Sequence, residues 1–173
     1  MMKTDRVLSD ELAEAYKATV RLKLFDEYWP RILQCLDECD DDLLWYRPNE
    51  NTNSIGNLVL HLEGNVRQWV LHGVAGKEDL RNRREEFYAS RRLRKDELTA
   101  RLKNLKEEVV EVVNAVSAKQ LLEHRSIQGF ETSVLGALFH VVEHFSYHLG
   151  QITYLVKSVK NKDLGYYAGR NLE

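Results

Sequence analysis

The chain has 173 residues, of which 43% are hydrophobic and 30% charged, and its formal net charge is −2. A chain of this length can fold as one domain that buries about 70% of its unfolded surface, and the composition is typical of globular proteins. The small net charge excludes the broad basic field that attracts nucleic acid or an anionic membrane. We therefore expect a single domain over residues 1–173, with neither nucleic acid nor membrane as partner.

The cellular compartment is suggested by what the sequence lacks and by its cysteines. No apolar run reaches the roughly 18 residues of a membrane span, and the first residues lack the apolar core of a secretion signal. The two cysteines, Cys35 and Cys39, are too few to hold a structural zinc ion alone. Unpaired reduced thiols packed as small apolar groups are the preferred interpretation, and we expect a cytoplasmic protein.

Apolar residues recur at helical spacing in four segments, which predicts an all-α fold. The first helix is expected over about residues 5–40, with a kink or break two residues before Pro30, which lacks a backbone donor. Its predicted inner face consists of Leu8, Leu12, Ala15, Thr19, Leu22, Phe25, Trp29, Ile32, Leu33 and Leu36. A loop rich in turn formers follows at 45–53. The second helix is predicted over about 54–73, with Ser54 as its N-cap.

The second half of the chain is predicted to add two helices after a long connection. Residues 74–94 are charged and weakly patterned, and we interpret them as a crossover between the second and third helices. A third helix is expected over about 95–116, followed by one short turn that the capping-box pattern at 117–120 opens. Residues 126–131 are expected to form a loop with extended pieces, and a fourth helix covers about 132–160. This arrangement predicts a four-helix bundle, whose sites project inward from facing helices.

The fourth helix carries three histidines at intervals of four residues, His140, His144 and His148. Residues at i and i+4 share a helix face, so the last two can direct their rings to one point. The apolar seam of this helix is formed by Val134, Leu138, Val141, Phe145, Ile152, Leu155 and Val159. His148 fills the one seam position without an apolar side chain. A buried imidazole needs a polar partner, and one metal ion can satisfy two such rings.

The leading hypothesis is a metal site formed by His61 of the second helix together with His144 and His148. Imidazole nitrogen suits zinc, nickel or ferrous iron. Three protein ligands leave at least one position for water or substrate, which is typical of catalytic sites. A simpler alternative needs no metal: the histidines are partly buried and hydrogen-bonded to nearby polar groups, namely Tyr147, Gln151, Asn57 or backbone carbonyls.

A second zinc pattern overlaps the same residues, because the segment from His140 to His144 matches the inverted zinc-protease motif H-x-x-E-H. In that interpretation His140 and His144 are the ligands and Glu143 is the general base. The motif requires a further acidic ligand and a cleft usually built by a larger chain, and His140 lies off the seam. The chain has no Glu-x-x-His, which di-iron bundles require, and no glycine-rich phosphate loop.

Two segments carry a family resemblance: 53–69, which contains Ser-Ile-Gly-Asn-Leu, and 144–152, which ends in His-x-Gly-Gln-Ile. Together they resemble the DinB-like (YfiT-like) metalloenzyme superfamily, and the likeness extends over nearly the whole chain, including Arg81 to Phe87. The resemblance implies an up-down-down-up four-helix bundle that is often a dimer. It also implies a divalent metal bound by the residues that match the family's ligands, which are His61, His144 and His148.

In the pattern of this superfamily His140 is not a ligand. We regard His140, Glu143 and Gln151 as candidates that contact the ligand histidines without binding the metal themselves. The sequence identifies no catalytic side chain. Relatives include S-transferases that use bacillithiol or mycothiol, maleylpyruvate isomerase-type enzymes that use a thiol cofactor, and stress-induced proteins.

The resemblance thus implies a divalent metal, a low-molecular-weight thiol, a small-molecule substrate and a homodimer. Two functions follow as hypotheses. The first is a metal-dependent thiol transferase or hydrolase acting on a small molecule. The second is a non-catalytic metal- or ligand-binding stress-response protein.

Overall fold

A computed structural model describes residues 2–88, 93–169 and 171, with residues 2–6 described by their backbone alone. This part of the chain is mostly helical, and the one sheet within it is a two-stranded hairpin. The elements in chain order are α1 (Met2–Arg21), a π-helical segment π1 (Leu22–Tyr28), α2 (Trp29–Asp37), α3 (Asp41–Trp45), α4 (Ile55–Val66), a second π-helical segment π2 (Arg67–His72), α5 (Arg83–Tyr88), α6 (Lys95–Ala115), α7 (Ala118–Leu121), β1 (His124–Ile127), β2 (Phe130–Ser133) and α8 (Val134–Lys160). The predicted helical class is confirmed apart from the hairpin.

The first predicted helix is one continuous run made of α1, π1 and α2. Just before the proline, the backbone hydrogen bonds join residues five positions apart instead of four: the Trp29 N–H donates to the carbonyl of Leu24. Pro30 follows at the start of α2 and has no backbone N–H to donate. The carbonyl of Phe25, five residues before it, accepts a hydrogen bond from Lys106 Nζ at 2.9 Å. The run does not break at the predicted position; its hydrogen-bond pattern changes there from π-helical to α-helical, between Tyr28 and Trp29.

The prediction of the inner face is wrong for the N-terminal half of this run. Five residues predicted to face the core are exposed: Leu8, Leu12, Ala15, Thr19 and Leu22. Those buried instead are Ala13, Lys17, Val20 and Leu24. Lys17 Nζ donates to the carbonyls of Asn114 and Val116 at 3.3 and 2.9 Å, at the C-terminal end of α6. A cation is favourable at this end of a helix. Because one of the core positions of α1 is a lysine, the apolar spacing does not indicate which face of the helix is buried.

The predicted helix starts in the middle of the chain are confirmed by their caps. Ser54 accepts a hydrogen bond from the backbone of Asn57, whose side chain accepts one from the backbone of Ser54. Ser117 and Gln120 form the same reciprocal pair at the start of α7. The predicted crossover contains α5, while its residues 89–92 lie outside the described residues.

Residues 126–131, predicted as a loop with extended pieces, form the centre of an antiparallel hairpin in which Ile127 pairs with Phe130. The two turn residues, Gln128 and Gly129, have φ values of 56° and 80°, as a two-residue type I′ turn requires. Glutamine is not a typical residue for that position, so the sequence alone did not identify the turn. The hairpin leads into α8, whose N-terminus is capped by the Ser133 side chain.

The core brings α4 into contact with α8, α5 and α6. Trp29 stacks on Phe145 of α8 with ring centroids 4.9 Å apart and an interplanar angle of 24°. Both rings are almost completely buried, so they contribute a large apolar area at the centre of the fold. None of the described helices is both long enough and apolar enough to cross a lipid bilayer.

The two cysteines are free thiols, and both are buried. Burial raises the pKa of Cys39 to about 12 and also raises the pKa of Cys35. Neither group is therefore a reactive thiolate at neutral pH, in agreement with their predicted role as small packed side chains.

Candidate metal centre

Three histidines from two helices meet in the core, with His61 contributed by α4 and both His144 and His148 by α8. The Nε2 atom of His144 lies 3.1 Å from that of His61 and 3.2 Å from that of His148. Zinc–nitrogen bonds of about 2.0–2.1 Å in tetrahedral geometry place neighbouring ligand nitrogens about 3.3 Å apart. Two of the three spacings therefore match those of a metal centre, and all three ligand nitrogens lie within 4.8 Å of one another, so the three histidines could hold an ion.

The position of His148 follows from the apolar seam of α8. Its side chain is buried with 9% exposure, and its predicted apolar neighbours on the seam are buried as far as Leu155. The prediction is wrong for Val159, which is 48% exposed, whereas Val156 is fully buried. A helix with 3.6 residues per turn drifts away from a strict 4-3 repeat over several turns, which explains the error at its last position.

Hydrogen bonds to the outer ring nitrogens orient two of the imidazoles. His148 Nδ1 lies 2.7 Å from Gln151 Oε1, and His61 Nδ1 lies 2.8 Å from Glu86 Oε2. Amide and carboxylate oxygens accept hydrogen bonds, so each Nδ1 is assigned the hydrogen and each Nε2 keeps its lone pair. His144 Nδ1 is buried and has no hydrogen-bond partner among the residues described.

The electrostatics of the site favour uncharged rings. Burial, followed by the neighbouring His148 and His61, lowers the pKa of His144 to about 3. Burial likewise lowers the pKa of His148, against the opposing effect of its hydrogen bond to Gln151. Metal ions bind the neutral form of histidine, so these rings need not release a proton at pH 7 to become ligands.

Glu86 of α5 is part of the site, although no pattern in the sequence points to it. Arg81 binds its carboxylate twice, from Nε to Oε1 at 2.7 Å and from Nη2 to Oε2 at 2.9 Å. Burial raises the pKa of Glu86, but the hydrogen bonds from His61 and Arg81 and the charge of Arg81 together lower it below its ordinary value. Both residues lie in a run of charges that resembles a solvated surface, which is why sequence spacing does not reveal them.

The other predicted supporting residues have different positions. Gln151 contacts His148, as described above, whereas His140 lies beside the cluster. Its Nε2 lies 3.2 Å from Asn65 Nδ2, and its ring packs against that of Trp69 with centroids 3.9 Å apart and an interplanar angle of 31°. Glu143 is exposed, and within the described part of the chain it makes no hydrogen bond or ion pair. The arrangement disfavours the inverted protease motif, because His140 is engaged by Asn65 and Glu143 points to the surface side of α8.

Comparisons with known proteins agree with this fold. The family model described as "Protein of unknown function (DUF1572)" matches residues 11–168. A comparison with curated proteins gives no match.

Two crystal structures of DinB-like proteins are similar to the chain. The one from Bacillus cereus ATCC 10987 has 16% identity and a TM-score of 0.65, covering 80% of this chain and 90% of that one. The other, YjoA from Bacillus subtilis, has 19% identity and a TM-score of 0.64, covering 85% of this chain and 96% of that one. The predicted DinB-like relationship is thereby confirmed at the level of fold. The chain belongs to the DUF1572 family and has the fold of DinB-like proteins.

Proposed function

We propose that this protein is a divalent-metal-dependent enzyme in which His61, His144 and His148 are the ligands and a small molecule is the substrate. The observation that carries the proposal is the convergence of three Nε2 atoms at 3.1 and 3.2 Å. Zinc, nickel and ferrous iron all accept imidazole nitrogen. Three ligands would leave at least one coordination position open for a reactant.

The ion, when bound, would act as a Lewis acid that lowers the pKa of a water or thiol in its open position. The chain contributes the geometry: the Glu86 carboxylate and the Gln151 amide keep the rings of His61 and His148 oriented. Burial keeps His144 uncharged, so that no imidazolium repels a cation. By analogy with DinB-like relatives, we propose a low-molecular-weight thiol as co-substrate and thiol transfer or hydrolysis as the reaction.

This proposal is tested by purifying the protein without chelators, measuring its metal content, and assaying thiol consumption with a panel of electrophiles and hydrolytic substrates. We expect about one ion per chain and turnover that disappears after metal removal and returns with zinc, nickel or iron. A protein that binds metal but turns over nothing in the panel would support the second candidate, a non-catalytic metal or ligand binder in stress response. Absence of metal binding would contradict both.

The proposed architecture is an up-down-down-up four-helix bundle formed by α1–π1–α2, α4–π2, α6 and α8. In support of it, the first and second of these runs each contact both α6 and α8. We also propose a cytoplasmic location, since the free thiols Cys35 and Cys39 are typical of a reducing compartment.

A homodimer is proposed because apolar side chains form an exposed strip on α1 and the start of α8. Tyr16 Oη donates to the carbonyl of Leu135 at 2.6 Å, which joins the two helices at this surface. Leu12, one turn before Tyr16, is 73% exposed, and Phe139, one turn after Leu135, is 56% exposed. Exposed apolar patches of this kind mark interaction surfaces.

Replacing Leu12 with glutamate is expected to convert the dimer to a monomer, because a buried charge would face the partner's apolar strip. A loss of about 2 kcal/mol would raise the dimer Kd about 30-fold, which sedimentation or light scattering at several concentrations can measure. Leu80→Glu is the matched control, since Leu80 is 80% exposed in the crossover. A wild-type protein that is monomeric at high micromolar concentration would reject the dimer.

A further inference from the structure

The ion pair of Arg81 and Glu86 is almost completely buried, with side chains 3% and 8% exposed. Removing two charges from water is unfavourable, and such pairs persist where their geometry is good and further hydrogen bonds complete them. Here the completing group is His61, whose Nδ1 lies 2.8 Å from Glu86 Oε2. The pair is therefore attached directly to one of the three clustered histidines.

We propose that Glu86 is a positioning residue of the metal centre: its carboxylate accepts the Nδ1 hydrogen of His61 and keeps Nε2 unprotonated and directed at the cluster. This inference rests on the proposed function, because it assigns Glu86 to the same ion. Outer partners of this kind fix the tautomer and orientation of a ligating histidine and increase its basicity.

Arg81 determines which role Glu86 can take. Its guanidinium occupies Oε1 and shares Oε2 with His61, so both carboxylate oxygens are engaged away from the cluster. Glu86 therefore acts through His61 and is not itself a ligand. Arg81 Nη2 also lies 3.2 Å from His61 Nδ1, but the shorter contact to the carboxylate assigns the hydrogen to the imidazole.

One face of the helical run formed by α4 and π2 holds the Arg81–Glu86 pair. Asn57, His61, Gly64 and Gln68 are spaced as i, i+4, i+7 and i+11 along α4 and π2. Asn57 Nδ2 donates to the backbone carbonyl of Glu86 at 2.9 Å, and Gln68 Oε1 accepts from Arg81 Nη1 at 2.9 Å.

Gly64 leaves the space that the carboxylate occupies on this face. A Cβ at that position would overlap Glu86 Oε1 and lie 3.0 Å from Arg81 Nε. Three residues of this face other than His61 thus hold the Arg81–Glu86 pair in place: Asn57 and Gln68 through hydrogen bonds, and Gly64 through its lack of a side chain.

The first test measures the affinity of the metal-free protein for Zn²⁺ by competition with a chromophoric chelator. Glu86→Gln is expected to bind Zn²⁺ about 10–100-fold more weakly, the usual loss when an outer partner is removed. Gly64→Ala should weaken binding in the same direction, because it displaces the carboxylate without changing any polar group. Glu85→Gln is the matched control, since Glu85 precedes Glu86 in α5 but is exposed, and its affinity should equal that of the wild type.

The second test separates positioning from a purely structural role. Nitrogen-15 NMR of the metal-free wild type should show His61 as the Nδ1–H tautomer, and Glu86→Gln should shift its signals towards a mixture of tautomers. A structural role alone would lower the denaturation midpoint without changing the tautomer. If Glu86→Gln does not fold, the wild-type spectrum and Gly64→Ala still decide the question.

The outcomes distinguish this inference from the proposed function. A wild type that binds Zn²⁺, with Glu86→Gln and Gly64→Ala binding equally well, overturns the role of Glu86 and leaves the metal centre in place. An Nε2–H tautomer of His61 in the wild type also overturns it. A wild type that does not bind zinc, nickel or iron overturns the proposed function and this inference with it.

Discussion

Replacing His148 with alanine is expected to abolish Zn²⁺ binding at micromolar concentrations of ion. The substitution removes one of three ligands, leaving His61 and His144, so the loss should exceed the roughly 10–100-fold that an outer partner contributes. Because His148 is buried on the seam of α8, the variant's denaturation midpoint and circular dichroism must be measured alongside its affinity. A folded variant without bound metal is the expected result.

Two further histidine variants make this result specific. His72→Ala should bind metal like the wild type, since His72 Nδ1 contacts the Lys77 carbonyl at the end of π2, away from the cluster. His140→Ala should weaken binding only in part, because this ring packs beside His144 with centroids 5.3 Å apart. Equal metal content in the His148 and His72 variants would reject the ligand assignment. Complete loss in the His140 variant would instead favour the inverted protease motif.

The parts of the fold that follow local rules could be predicted from the sequence. The helix starts at Ser54 and Ser117 were predictable because an N-cap, and the capping box at 117–120, depend on residues within one turn of each other. The inner face of α1 was not, because the buried Lys17 binds carbonyls nearly one hundred residues away in addition to Glu14 of its own helix. The turn at Gln128 likewise depends on its connection to the hairpin, since glutamine does not by itself favour a positive φ.

The candidate site divides in the same way. His144 and His148 were predictable as a pair because i and i+4 spacing is a property of one helix, and His61 required only that two helices face each other. Glu86 was not predictable, because its contact with His61 joins residues 25 positions apart through a crossover without apolar pattern. The contact does leave a sign in the sequence, because the Glu86 carboxylate requires a glycine at position 64. That requirement can be recognised only once the position of Glu86 is known.

Lowering the pH from 7 to 5 is expected to destabilise the metal-free protein through its buried histidines. The pKa of His144 is about 3 in the folded chain, against an ordinary value of 6.5. Between these values the unfolded chain binds a proton that the folded chain does not, so stability falls as the pH falls. At pH 5 the difference from 6.5 corresponds to at most about 2 kcal/mol for His144, an upper limit because the ring is partly exposed.

The lowered pKa values of His140 and His148, both caused mainly by burial, act in the same direction. The lowered pKa of Glu86 has its effect below its ordinary value of 4.5, outside this pH range. Urea denaturation at pH 7 and pH 5 with a chelator present would measure the effect, and His144→Gln should reduce it. His124→Gln should not, since His124 is exposed. Equal stability of the wild type at both pH values would mean that the clustered rings take up protons as readily in the folded chain as in the unfolded one. The prediction that these rings are uncharged, on which metal binding depends, would then be wrong.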